Sequence, residues 1–205
     1  MIIGKAKKLR KRGIYMKHTH TYQITDWCHH MVLEHISEGD LCIDATMGNG
    51  NDTLFLCQQT GPSGKVLAFD IQQTALEYTR QRLENHLTFV NYELHLTGHE
   101  HMAEFAGREQ ASCIMFNLGY LPSGDHSLAT RAQTSIAAME AGLTLLKPGG
   151  VMSVCIYSGG DSGFAERDAV LPWLKTLDPK RYLVLLTEYY NRANNPPIPA
   201  FIIKI

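Results

Sequence analysis

The chain alternates short apolar runs with stretches of helical periodicity, and that alternation leaves few folds open to it. Leu41-Cys42-Ile43, Val66-Leu67-Ala68-Phe69, Ala111 to Asn117 and Val151 to Tyr157 read as buried strands, and a weaker strand is expected near Thr88 to His95. Helices are expected over Ile24 to Ile36, Asp52 to Gln59, Thr74 to Asn85, Thr130 to Leu146 and Phe164 to Leu177, with a short one around Glu100 to Ala106. Strands joined through helices of this length close into right-handed βαβ units, which build a parallel sheet covered on both faces. Two last β-rich runs, Tyr182 to Tyr190 and Ala200 to Ile205, are joined through Asn194-Asn195-Pro196-Pro197 with no room for a crossover helix, so they should be antiparallel. The fold class expected is α/β, with a mostly parallel seven-stranded sheet and an antiparallel strand near the C-terminus.

At 205 residues, 44% of them hydrophobic, the chain is long enough to bury one continuous core. A single domain is expected over 16–205. Residues 1–15 stand apart, because Lys5, Lys7, Lys8, Arg10, Lys11 and Arg12 crowd in just before a second methionine, Met16. They read as a solvated tail or an upstream-start extension, with a phosphate-contacting arm as the alternative. The formal net charge of -1 exerts no overall pull toward nucleic acid, so such a partner must be held by a local patch. Five cysteines form no C-x-x-C pair and most sit in apolar runs, which suits a reducing, cytoplasmic setting. No apolar run approaches a membrane span, and no membrane partner is expected. Exposed positions on the first helix, Trp27 and Met31, would permit a homodimer.

The first strand ends in Asp44-Ala45-Thr46-Met47-Gly48-Asn49-Gly50, the turn that floors the ligand crevice of an open α/β sheet. Gly48 and Gly50 let the backbone approach a ligand in conformations that a Cβ forbids. Asp44 is placed to pair with the ammonium group of a methionine moiety. Asp70 ends the next strand, where a carboxylate can accept both hydroxyls of a ribose. These two features mark an adenosine ligand and are shared by nicotinamide enzymes and methyltransferases. What separates the two is the phosphate cradle: a third glycine is missing, and Asp52 stands at the helix N-terminus, where a carboxylate repels a pyrophosphate and tolerates a cationic sulfonium. S-adenosylmethionine is the cofactor expected. Gly98-His99-Glu100 follows the third strand, where either side chain could accept from the adenine amino group. His99-Glu100-His101 and His18-Thr19-His20 match no zinc signature, and no metal is expected.

The fourth strand runs into Phe116-Asn117-Leu118-Gly119-Tyr120-Leu121-Pro122 at the same rim. An asparagine followed by a turn and an aromatic is similar to the N-P-P-Y signature of amine methyltransferases, in which oxygen acceptors orient the target nitrogen toward the methyl group. An amine must lose its proton before it attacks, and Tyr120 and Asp125 are the nearest acid-base candidates.

Taken together, D-A-T-M-G-N-G-N-D-T at 44–53, A-F-D-I-Q at 68–72, H-E at 99–100, F-N-L-G-Y-L-P-S-G-D at 116–125 and N-N-P-P at 194–197 resemble a bacterial family of Rossmann-like class I methyltransferases. Its members were long labelled rRNA methylases and are now understood as tRNA wobble-uridine methyltransferases. The resemblance runs from about His20 to the C-terminus. It implies methylation of the aminomethyl nitrogen of 5-aminomethyl-2-thiouridine in the anticodon region of tRNA, with S-adenosylmethionine as donor. It also implies that Asp44, Gly48, Gly50, Asn51 and Asp52 surround the methionine end, Asp70 and Gln72 the ribose, and His99 and Glu100 the adenine. Asn117, Gly119, Tyr120 and Asp125 would face the target amine, with Asn117 and Gly119 also beside the cofactor. The chain departs from the family at Tyr157-Ser158-Gly159-Gly160, where members often carry a Y-H-G-H stretch. An rRNA base or a small amine as substrate, or a non-catalytic module that only binds S-adenosylmethionine, would keep the same cofactor residues.

Overall fold

A computed structural model describes residues 23–118, 132–158 and 160–205. The chain opens with helix α1, Ile24–Val32, extended by a 3-10 turn, Leu33–His35. Then follow β1, Leu41–Asp44, α2, Asn51–Thr60, β2, Lys65–Asp70, α3, Gln73–His86, and β3, Tyr92–Leu96. A 3-10 helix, His99–Glu104, leads to β4, Ala111–Leu118, α4, Ala132–Leu145, and β5, Leu146–Ile156. The chain ends with α5, Gly160–Leu174, β6, Tyr182–Leu186, and β7, Ile198–Lys204.

The seven strands form one sheet in the order β3-β2-β1-β4-β5-β7-β6. β1 pairs in parallel with β2 and β4, and β7 pairs antiparallel with both β5 and β6. The antiparallel strand is therefore second from the edge, and β6 is the edge. β5 begins earlier than its apolar pattern suggests because Leu146 pairs with Ala111, after which Lys147 to Gly150 loop out and pairing resumes at Cys113 and Val151.

Strict period-two alternation assigns the side chains of the central strands to two cores. Ile43, Ile114, Phe116, Met152 and Val154 join a cluster that includes Met139 and Leu143 of α4 and Val170 of α5. Their neighbours Cys42, Cys113, Met115, Val151 and Cys155 join a cluster that includes Cys28 and Val32 of α1 and Leu56 and Cys57 of α2. The same parity carries Asp44 and Asn117, two residues beyond Cys42 and Met115, to the face of the sheet covered by α1 and α2. Met31 is half-buried against that second core, while Trp27 stays exposed. All five cysteines are buried and free. Among the described residues no helix is long and apolar enough to cross a membrane.

Candidate active site

The chain crosses from β3 back to β4, on the other side of β1, which reverses the direction in which the sheet is built, and a crevice opens above the ends of β1 and β4. The loop after β1 forms its floor. The N–H of Met47 donates to the Phe69 carbonyl at 2.9 Å, and the N–H of Gly48 donates to Asp70 Oδ2 at 3.0 Å, so the loop lies across the end of β2. Arg82 and Thr79 of α3 hold it from the side: Arg82 Nε donates to the Asn49 carbonyl at 2.6 Å and Thr79 Oγ1 to the Gly48 carbonyl at 3.1 Å. Gly50 caps α2 with φ +75°, and a Cβ there would stand 2.9 Å from Thr79 Cα. Both the backbone angle and the space require glycine at this position.

Asp44 is wholly buried. Its Oδ1 accepts the N–H of Thr46 at 3.1 Å and its Oδ2 accepts the Thr53 hydroxyl at 2.6 Å, which ties strand end, loop and α2 together. Burial, and next the Asp52 carboxylate, push the Asp44 carboxyl up to about 7. Thr46, which stands where the usual methyltransferase loop has its first glycine, has a bond of its own: its hydroxyl accepts the N–H of Asn117 at 2.7 Å and joins the loop to the end of β4.

Asp70 lies at the rim with Oδ1 accepting the N–H of Gln72 at 2.9 Å, which also starts α3. Asn51 is exposed and Asp52 buried at the start of α2. His99 is buried beside the loop, and its Nδ1 lies 3.2 Å from the Ala45 carbonyl. A carbonyl can only accept, so Nδ1 carries the proton and Nε2 is left as an acceptor. Burial holds the imidazole below its usual range and keeps it neutral. Glu100 is exposed, with its carboxylate folded over Gly98.

Asn117 closes the site. A carboxylate accepts and never donates, so the Asn117 contact with Asp52 Oδ2 must be made by Nδ2. That leaves Asn117 Oδ1 buried and without a partner among the described residues. The other oxygen of Asp52 accepts from His29 Nε2 at 2.6 Å, and the His29 ring stacks on Phe55 with centroids 3.9 Å apart. His29, Thr46 and Arg82 are site residues that sequence patterns did not mark. His29 adjoins the buried position Cys28 on α1, but its partner belongs to a different helix. Gly119, Tyr120 and Asp125 lie outside the described residues. Tyr157 shares the α1 face, where burial pushes its phenol up, and the Ser158 hydroxyl is buried without a partner among the described residues.

The structure therefore gathers Asp44, Gly48, Gly50, Asp52, Asp70, His99 and Asn117 at one rim. The Asp52 and Asp70 carboxylates beside one glycine loop oppose a pyrophosphate and suit a ligand carrying an ammonium and a sulfonium, while Asp44, wholly buried with both oxygens engaged by Thr46 and Thr53, fixes the loop. Among the described residues no group of His, Cys, Asp and Glu is placed to hold a metal ion.

A family model described as Putative rRNA methylase matches residues 66–203. A chloroplastic tRNA (mnm(5)s(2)U34)-methyltransferase of Arabidopsis thaliana is 34% identical over 185 residues, covering 85% of this chain and 67% of the relative. The crystal structure of a putative rRNA methylase from Clostridium thermocellum superposes with a TM-score of 0.85 at 42% identity, covering 88% of this chain and 97% of that one. A putative methyltransferase from Streptococcus mutans, solved in complex with SAH, gives 0.81 at 36% identity, with coverage of 89% and 98%. The cofactor is S-adenosylmethionine. The chain belongs to the putative rRNA methylase family, whose members share the Rossmann-like class I fold of S-adenosylmethionine-dependent methyltransferases.

Proposed function

We propose that the protein methylates the aminomethyl nitrogen of 5-aminomethyl-2-thiouridine at the wobble position of tRNA, giving 5-methylaminomethyl-2-thiouridine. The observation that carries this reading is the Asn117 carboxamide. Its Nδ2 is committed to Asp52, and its Oδ1 is buried, without a partner among the described residues, and adjacent to the cofactor loop through Thr46. A buried acceptor without a donor is costly, and the N–H of a bound amine satisfies it. The 34% identical plant relative, a tRNA (mnm(5)s(2)U34)-methyltransferase, supports the choice of amine.

S-adenosylmethionine supplies an electrophilic methyl group on a sulfonium sulfur. Asn117 Oδ1 accepts one N–H of the neutral amine and so directs the nitrogen lone pair out of the hydrogen-bonding direction, toward the methyl. As the N–C bond forms and the S–C electrons return to sulfur, positive charge passes to the nitrogen. The N–H···Oδ1 bond strengthens, and the neighbouring Asp52 carboxylate stabilises the developing cation. The proton lost before attack and the one lost from the product go to water or to a positioned base, for which the sequence offers Tyr120 and Asp125.

The loop over 187–197 supports an RNA substrate. β7 begins at Ile198 paired with Ile156, the last residue of β5, so the loop lies at the cofactor rim. Arg192 stacks over Tyr189 at 4.5 Å, and Tyr190 is fully exposed. Aromatic and guanidinium planes of this kind stack unpaired bases. A wobble base in an anticodon loop is already unpaired, so few phosphate contacts are required.

The test is to incubate the protein and labelled S-adenosylmethionine with tRNA from cells that stop at the aminomethyl stage, then identify the labelled nucleoside by mass spectrometry. 5-Methylaminomethyl-2-thiouridine is the product expected. Label appearing only in rRNA or a small amine would overturn the substrate, and cofactor binding without turnover on any of them would leave a binding module.

A further inference from the structure

We propose that His29 is a positioning residue for methyl transfer: through Asp52 it locks the Asn117 carboxamide in the one orientation that turns Oδ1 toward the target nitrogen. The proposal rests on the reading of Asn117 as the group that holds the amine.

A carboxamide has two ends of similar size and opposite hydrogen-bonding character. If the Asn117 amide rotated by half a turn, it would present N–H donors to the amine, and a neutral amine so bound would direct its lone pair at the enzyme instead of at the methyl. Something must decide between the two orientations. The backbone does not, because the Asn117 N–H is held by Thr46 whichever way the side chain lies. Asp52 decides it, since two oxygens that only accept exclude the orientation that would bring Oδ1 against Oδ2.

Asp52 can perform that role only if its own carboxylate is fixed. It sits at the first turn of α2, buried, and nothing in α2 holds Oδ1. His29 does so from α1 with a bond of 2.6 Å between Nε2 and Oδ1. The imidazole is in turn held flat on Phe55 of α2, with the two ring planes 3° apart. The order is thus Phe55, His29, Asp52, Asn117, with each side chain leaving the next a single arrangement. The hydrogen bond and the ring contact of His29 go to Asp52 and Phe55, and neither goes to the glycine loop or Asp70, so its contribution falls on the transfer step.

Two substitutions separate the ring from the donor. His29→Phe keeps an aromatic ring over Phe55 and removes the N–H, whereas His29→Gln loses the ring and keeps an N–H donor within reach of Asp52. In His29→Phe, kcat on aminomethyl tRNA should fall by about tenfold to a hundredfold, with KM for S-adenosylmethionine and tRNA within about threefold, the pattern of a lost orientation. His29→Gln should recover most of that loss. The side-chain amide signals of Asn117, identified by their absence in Asn117→Asp, give a readout free of RNA. In the protein alone one Nδ2 proton should be shifted downfield and slow to exchange, should lose both properties in His29→Phe, and should regain them in His29→Gln. Should His29→Phe fail to fold, His29→Met removes the donor at similar volume and takes its place. Equal loss of kcat in both variants, loss in His29→Gln alone, or Asn117 signals that ignore the donor would overturn the proposal. Wild-type protein that binds cofactor and leaves the tRNA unlabelled would remove the substrate reading, and the amide signals would still decide whether His29 sets Asn117.

Discussion

Two carboxylates at the rim, both at strand ends, have different work. Asp70 accepts the Gly48 N–H and so shapes the loop, and it remains half-buried with lone pairs left for ribose hydroxyls. Asp70→Ala should weaken S-adenosylmethionine binding by at least about tenfold, the cost of charged hydrogen bonds lost. Asn117→Ala should leave the Kd for cofactor within about threefold and slow single-turnover transfer by about a hundredfold. Isothermal titration and rapid quench check the two, and equal effects of both changes on binding would refute this division of the site. Asp44 makes a different prediction. Its carboxyl is raised from 3.8 to about 7 in the fold, so the protein binds a proton there that the unfolded chain has released. A raised pKa contributes stability that is complete below the unfolded value and lost as pH rises through the folded one. The thermal midpoint of the cofactor-free wild type, measured against that of Asp44→Asn so that the oppositely shifted His95 and His99 cancel, should therefore decline between about pH 4 and pH 7. A difference between the two proteins that stays constant over this window would show that the fold holds no extra proton on Asp44. Asp44, Asp70 and Asn117 were legible in the sequence because each ends a short apolar run, and parallel strands deliver such residues to one rim. His29 was not, because its role depends on how α1 is laid against α2, a packing relation that no local period encodes.

At the scale of elements, the glycine loop works because α3 holds it from behind. Gly50 sits where φ is +75° and where a Cβ would press on the backbone of Thr79. Gly50→Ala should cost about 1–3 kcal/mol of stability from the left-handed backbone alone. It should also weaken cofactor binding, because relief of the contact moves the glycine loop that Thr79 and Arg82 hold. Thermal unfolding with and without S-adenosylmethionine checks this, and a variant with the midpoint and ligand-induced shift of the wild type would show that α3 yields. The strand and helix alternation was readable because buried strands have period two and amphipathic helices 3.6, and the structure keeps each element within a few residues of its pattern. The position of β7 was the less legible part. The tight connection showed that β6 and β7 run antiparallel, not which of them enters the sheet. The clue is in composition: Ala200, Phe201 and Ile202 are consecutive and all buried, as an interior strand requires, whereas Leu183, Leu185 and Leu186 of β6 are exposed.

For the whole molecule, the proposed tRNA substrate poses the problem of how a chain of formal charge -1 would meet a polyanion. Much of its positive charge is in Lys5, Lys7, Lys8, Arg10, Lys11 and Arg12, so the rest of the chain is distinctly acidic. The rim itself holds Asp52 and Asp70, a field that suits a sulfonium and opposes phosphate. Recognition by stacking and shape, with a few cations such as Arg192, reconciles that field with an RNA substrate. If this is the balance, the basic segment before Met16 is not needed for transfer. A variant beginning at Met16 should keep kcat, and its KM for tRNA should stay within about twofold at moderate salt. Each phosphate contact on single-stranded RNA contributes roughly 0.7 to the slope of log affinity against log salt, so the slope discriminates well. Full-length and shortened proteins should both show a shallow slope, differing by less than one contact. A slope that is steep in the full chain and flattens on shortening would instead make the basic segment the arm that brings tRNA to an otherwise acidic rim.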